Sequence, residues 1–281
     1  MRVGLLSFPN SYSHGAALQM YALYRTVEEL GYNPEIINYC NPYMKNRLFD
    51  NDRKSPLKRK AKNLASKMIH LRRERGFRSF EKRMKFYPAA TVGQSAQLKA
   101  ISNRYDKMIC GSDQVWNPDI TGYDLNYFFA FCADNDKKVS YAPSFGVEQL
   151  SPEYAEKVAA QLRKFYRLSV RECQGYHLIQ QISGLAPEIV LDPTLLRTAE
   201  QWYADETEIS QAKGDYIFYY TILDSPSLKR FCSELSEKTG YRILAYGSNT
   251  LKKLMGKDPE CICDILPQEW LYLIHHAKYV V

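Results

Sequence analysis

The sequence predicts the α/β class: a largely parallel sheet with helices packed on its faces. Three observations carry this expectation. Strand-like and helix-like segments alternate along most of the chain. The stretch LLSFPNSYSHGAALQMYALYRTVEELGY, followed by PEIINY, gives strand, helix and strand within about 40 residues, the length of one right-handed parallel crossover. The composition is that of an ordinary globular protein, 45% hydrophobic and 25% charged, with a mean hydropathy of -0.43.

Taken in order, Arg2 to Phe8 form a short apolar run flanked by polar residues, as a buried strand does. Gly15 to Leu30 place Leu18, Tyr21 and Ala22 on one helical face, and Gly31 is a helix stop. PEIINY, YDKMICGS, KKVSYAPSFG, RLSVRE and PEIVLDPTLL read as strands that run into turns, with helices over Pro152 to Phe165 and Gln174 to Ile182. A break over Glu206 to Gly214 precedes a second alternating series: DYIFYYTIL, a helix over Ser225 to Thr239, YRILAYG, the helix PQEWLYLIHHA and KYVV. The 281 residues exceed the usual single domain, so two are expected, residues 1–208 and 209–281. The second series ends on a strand with no helix after it, which reads as an incomplete second domain.

The net charge of +7 is concentrated in one place. Residues 45–85 carry sixteen Lys and Arg against four Asp and Glu, with Leu57, Ala61, Leu64, Met68 and Leu71 recurring at helical spacing. Two readings fit this basic helical segment: a solvated helix, or a peripheral surface for an anionic membrane. Its few aromatic residues make nucleic acid a poor partner. No apolar run is long enough to span a bilayer, and the N-terminal apolar stretch is too short for a signal peptide, so a cytoplasmic location is expected, with peripheral contact at the inner face of the membrane if the basic segment docks there. Seven cysteines read as reduced core thiols. Cys261 and Cys263 precede His275 and His276, but no second ligand pair has zinc-like spacing, and no metal is expected.

Three loops at predicted strand ends could carry chemistry. The first holds Asn10, Ser11, Ser13, His14 and Gly15 at a helix N-terminus, suited to phosphate or carboxylate; an ordinary cap by Ser13 fits equally. The second, GSDQVWNP, places Ser112, Asp113, Gln114 and Trp116 after an apolar strand; Trp116 either stacks on a sugar or base, or packs into the core. The third joins Arg171 and Glu172 in SVRE to Asp192 in LDP: an anion clamp, or a salt bridge tying loops together. Ser144 in SFG is at a strand end or only in a turn. The glycine-rich dinucleotide fingerprint, the P-loop and the HExxH zinc motif are absent from the sequence, which removes the usual support for those three classes.

Taken together, NSYSHGAALQMYAL, YDKMICGSDQVWNP, KKVSYAPSFG, SVRE and EIVLDPTLL resemble the polysaccharide pyruvyl transferase family over essentially the whole chain, least over 45–85. The resemblance implies two Rossmann-like lobes with a cleft, similar to GT-B glycosyltransferases. It implies transfer of the enolpyruvyl unit of phosphoenolpyruvate to two hydroxyls of a sugar or lipid-linked saccharide, with no cofactor beyond that donor. Arg171 matches the family's donor-binding arginine, and His14 and Asp113 are candidates for proton transfer. The family typically carries a Ser-Phe-His-Gly type motif just beyond the position of AKYVV, so this chain is expected to bind donor without turning it over alone. Two rival functions are a nucleotide-sugar glycosyltransferase of similar shape and a non-catalytic sugar-, anion- or membrane-binding relative.

Docking through the basic segment predicts binding to anionic vesicles that weakens as salt is added. Equal binding to neutral vesicles, or none at any salt, returns the segment to a solvated helix.

Overall fold

A computed structural model describes residues 1–9, 11–50, 73–221, 225–246, 260–262 and 264–281. Asn10, Cys263 and the stripe from Leu57 to Leu71 lie outside the described residues. The chain divides into two compact units: Met1–Lys62 with Glu81–Arg197, and Asn63–Phe80 with Thr198–Val281. The boundary expected after residue 208 lies inside the second of these.

The first unit is built on a five-stranded parallel sheet, β1 (Arg2–Leu6), β2 (Asn33–Tyr39), β3 (Phe86–Val92), β4 (Lys107–Cys110) and β5 (Lys138–Ser140), in the order β3-β2-β1-β4-β5. This is the order of a doubly wound sheet, in which successive crossovers run outward from β1 in both directions. Leu5 of β1 pairs with Ile36 on one side and Ile109 on the other. Both faces of these strands are covered, which is why β1 and β2 are buried almost continuously rather than at alternate residues. Helix α1 (His14–Glu29) covers one face, and Gly31, at φ 85, ends it in the left-handed conformation open to glycine. Helix α2 (Pro42–Asp50) follows β2.

Sequence reading missed β3 and helix α4 (Ser95–Ser102), because β3 is mostly exposed and has no apolar alternation to betray it. Helix α3, over 73–81, packs Gly76 against Leu266 within the second unit. After the one-turn α5 (Pro118–Thr121), helix α6 (Pro152–Leu162) and helix α7 (Cys173–Ser183) flank β6 (Ser169–Val170), and β6 pairs in parallel with β7 (Glu188–Ile189). Ser140 and Ser169 exchange hydroxyl and backbone hydrogen bonds of 2.7–2.8 Å, fixing β6 beside β5. The strand expected through Leu196 stops at Ile189; Asp192 instead caps a 3-10 turn, Pro193–Leu196, whose proline suits a helical start.

The second unit holds helix α8 (Ala199–Tyr203) and a four-stranded parallel sheet, β8 (Tyr216–Tyr219), β9 (Arg242–Tyr246), β10 (Glu260–Ile262) and β11 (Tyr279–Val280), ordered β10-β9-β8-β11. Its strands wind outward from β8 as those of the first unit do from β1. Helix α9 (Pro226–Thr239) is capped by Ser225, and helix α10 (Pro267–His275) precedes β11. Among the described residues no helix is long and apolar enough to cross a membrane.

Glu35, buried on β2, receives two hydrogen bonds of 2.6 Å from the Arg104 guanidinium, which itself lies over the Tyr87 ring. These bonds hold the Glu35 carboxyl below the usual carboxylate range, although burial works the other way. A lowered folded pKa makes this contribution to stability complete above the unfolded value of about 4.3, and it is lost as pH falls through the folded value. Glu35→Gln is therefore expected to flatten the fall in stability below about pH 5, measured by denaturant unfolding across pH. An unchanged acid slope would remove Glu35 from that role.

Candidate functional site

Because β1 and β4 are parallel neighbours, the loops that leave their carboxyl ends emerge side by side, and the crossovers diverge there. Ligands bind to doubly wound sheets at this switch point. The loop after β1 begins with Ser7, whose hydroxyl donates to the Ser112 carbonyl at 3.3 Å. It ends with Ser13, which caps α1 by accepting from the Ala16 N–H at 3.4 Å. Ser11 is half-buried and Ser13 exposed, while His14 is buried as the first residue of α1. Gly15 is exposed, and a Cβ built there meets nothing within 4 Å, so tight packing does not select glycine at this position.

The loop after β4 is shaped by backbone constraint. Gly111 donates to the Leu6 carbonyl at 3.1 Å, and at its φ of 145 an added Cβ would lie 1.8 Å from the Tyr141 carbonyl oxygen, so only glycine fits. Asp113 has a φ of 73, a left-handed conformation that Asp tolerates better than most residues. Its carboxylate accepts from the Gln114 N–H at 2.7 Å, and its carbonyl accepts from the Ser144 N–H at 2.9 Å. Gln114 accepts from the Asn117 amide at 2.7 Å, and Gly146 at φ 60 leaves space for that side chain.

Trp116, Ser112 and Ser144 face inward rather than toward a ligand. Trp116 has no exposure, stacks on Phe128 with centroids 4.9 Å apart, and donates through Nε1 to the Tyr127 carbonyl at 3.1 Å. Its ring is thus committed to the core, and the stacking role expected for it on a sugar or base is corrected. Ser112 is fully buried, and its hydroxyl has no partner among the described residues. The Ser144 hydroxyl accepts from the Gly146 N–H at 3.1 Å and so shapes the turn.

Charge gathers beside this loop. Arg171, just past β6, donates through Nε to Glu172 at 3.1 Å and through Nη1 to Asp192 at 3.3 Å. Both salt bridges weighed for it are present. Asp192 also accepts from the Gln19 side-chain amide on α1, and its other oxygen accepts from the Thr194 N–H at 2.9 Å and the Thr194 hydroxyl at 2.7 Å. Those donors, with Arg171, outweigh burial and hold the Asp192 carboxyl below its ordinary range. Asp113 is displaced the other way: burial raises its pKa, and the Asp192 charge adds to this, against the Gln114 N–H and Arg171. Burial, then the charge on Asp192, likewise raises the Tyr141 hydroxyl.

The structure therefore brings together Asp113, Arg171, Glu172 and Asp192, with Gln19 and Tyr141 as members that sequence reading missed. Gln19 had a signal: it is a polar residue among the buried Leu18, Met20 and Tyr21. A cavity of about 490 Å³ in the same unit is lined by Lys99, Lys138 and Lys164 among others, and shares none of these residues. In the second unit, His275 and His276 meet Glu206, which sequence reading also missed. Among the described cysteines, Cys40, Cys110, Cys132 and Cys232 are buried.

A doubly wound unit with an arginine and two oppositely tuned carboxyl groups at its switch point has the α/β architecture in which ligands bind at the carboxyl ends of the strands. The polysaccharide pyruvyl transferase family model matches residues 14–281, and the chain belongs to that family. No curated protein matches it.

Trp116→Ala is expected to cost about 3–5 kcal/mol of stability, the range for emptying a large buried aromatic site, read from the denaturant midpoint. A loss below about 1 kcal/mol would contradict its place in the core.

Proposed function

We propose that this chain uses phosphoenolpyruvate as donor and places its enolpyruvyl carbon on two hydroxyls of a sugar or lipid-linked saccharide as a cyclic ketal. The observation that supports this best is the pair of carboxyl groups beside Arg171, one raised and one lowered in pKa. Such divergence is how a site keeps an acid and an anion in adjacent positions. The family membership supports a pyruvyl transferase in general; the donor, the acceptor and the residue roles are this proposal's own. The parallel winding of the two sheets supports a two-lobed design of the GT-B kind.

The chemistry sets the requirements. Phosphoenolpyruvate gains a proton on its methylene carbon, which becomes the methyl group, and positive charge develops on the adjacent carbon. The first sugar hydroxyl adds there and loses its proton; once phosphate has left and the charge has formed again on that carbon, the second hydroxyl adds and loses its proton. Phosphate departs with the electrons of its C–O bond, since the ketal carbon keeps only sugar oxygens. Asp113, with its raised pKa, is assigned the proton donor, and His14 is the second candidate. Arg171 is assigned the donor's carboxylate or phosphate, bound by exchanging its salt bridges, while Asp192 orients the guanidinium. The N-terminus of α1, with Ser11, Ser13 and the open space at Gly15, is assigned the remaining anionic oxygens, and Gln114 in the loop after β4 is assigned to the same donor.

Phosphoenolpyruvate is expected to raise the melting temperature of the protein, and UDP is not. Arg171→Ala should weaken donor binding by one to two orders of magnitude, since a hydrogen bond to a charged group contributes about 1.5–3 kcal/mol. Asp113→Asn should retain the thermal shift. A shift that survives unchanged in Arg171→Ala removes the clamp; a shift with UDP alone favours the nucleotide-sugar reading.

A further inference from the structure

The second unit carries a cluster that the proposed pyruvyl transfer does not use. Glu206 follows α8, while His275 and His276 are the last residue and the C-cap of α10. His275 Nδ1 lies 2.9 Å from one Glu206 oxygen, and His276 Nε2 lies 3.0 Å from the other. One potential ligand atom from each side chain can be chosen so that all three lie within 4.8 Å of one another. From these residues we infer that Glu206, His275 and His276 form a binding site for a divalent first-row transition metal of the zinc class.

Geometry is the first support. Zinc bonds of 2.0–2.2 Å at tetrahedral angles separate ligand atoms by about 3.3–3.6 Å, so small side-chain rotations bring these three to bonding positions. A carboxylate only accepts, so each ring nitrogen facing Glu206 carries a proton in the hydrogen-bonded state; a metal ion takes that position, and each imidazole then binds as the tautomer with its proton on the other ring nitrogen.

Rigidity is the second. Tyr203 stacks on the His275 ring at 3.5 Å and 7°, and Tyr272 stacks on the His276 ring at 4.0 Å and 28°. Both imidazoles are thus held by aromatic faces before any ligand arrives, which lowers the ordering cost of binding. The third support is electrostatic. The site is at the carbonyl end of α10, the negative end of its dipole.

Two imidazoles and one carboxylate suit zinc, cobalt and nickel better than the oxygen-seeking magnesium or calcium. Three protein ligands leave the fourth tetrahedral position to an exchangeable water. Bound there, the metal ties the segment after α8 to the end of α10, two helices already in contact within this unit.

The test uses the full chain, stripped with chelator and titrated with cobalt(II) as an optical zinc substitute. Expected is a visible d–d spectrum of a four- or five-coordinate nitrogen and oxygen site, without the near-ultraviolet band of thiolate ligation, and a rise in melting temperature that zinc reproduces. Glu206→Gln, and separately the pair His275→Gln with His276→Gln, should weaken cobalt binding at least about tenfold, the lower bound seen for mere supporting residues. Circular dichroism of each variant without metal establishes that it is folded, and a Cys261→Ser variant should bind as the parent does. No cobalt spectrum, binding unchanged in the double-histidine variant, or a thiolate band lost in Cys261→Ser would each overturn the assignment.

Discussion

The central constraint in the first unit is the parallel placement of β1 between β2 and β4. Parallel neighbours deliver their carboxyl ends to one edge of the sheet, so the loop from Ser7 to Ser13 and the loop from Gly111 to Asn117 must meet there. The direct bonds between them, Ser7 to the Ser112 carbonyl and Gly111 to the Leu6 carbonyl, follow from that register. The same edge receives the end of β5 and, through the Ser140–Ser169 exchange, the end of β6. Arg171 reaches the crevice because β6 is fixed in this way.

Asp192 then draws three separate elements to one carboxylate: Gln19 from α1, Arg171 from the end of β6 and Thr194 from its own turn. Burial works against the Asp192 charge, but this many donors hold its carboxyl below the ordinary range, and its field adds to the burial that raises the Asp113 carboxyl. The opposite tuning of the two groups is therefore one arrangement, not two coincidences. It also explains why Arg171 can act in two ways: its ion pairs hold the loops together, and their exchange for a substrate anion is the event that loads the site in the proposed reaction.

The second unit repeats the winding of the first but gathers a different set of side chains. Its Glu206, His275 and His276 cluster has donors typical of transition-metal ligation, framed by two tyrosines, whereas the first unit collects one arginine and several carboxyl groups. Similar sheets thus support different local chemistry, because the chemistry resides in the loops and helix ends.

The α/β alternation, α1 with its Gly31 stop, α6, α7 and α9 were legible in the sequence because periodicity and capping are local properties. The loops of the crevice were legible too, since small polar residues after an apolar strand mark a carboxyl end. β3 was hidden because an exposed edge strand needs no apolar pattern, and the strand through Leu196 was over-extended because Asp192 and Pro193 start a 3-10 turn. Whether Trp116 served a ligand or the core was decided only by the tertiary structure: an aromatic residue in a polar loop suits either, and the packing of Phe128, Phe145 and Phe165 around it settles the matter. Gln19 beside Asp192, 173 residues apart, and Glu206 beside two histidines some 70 residues away, could be joined only by folding, since no local pattern encodes contacts at such separations.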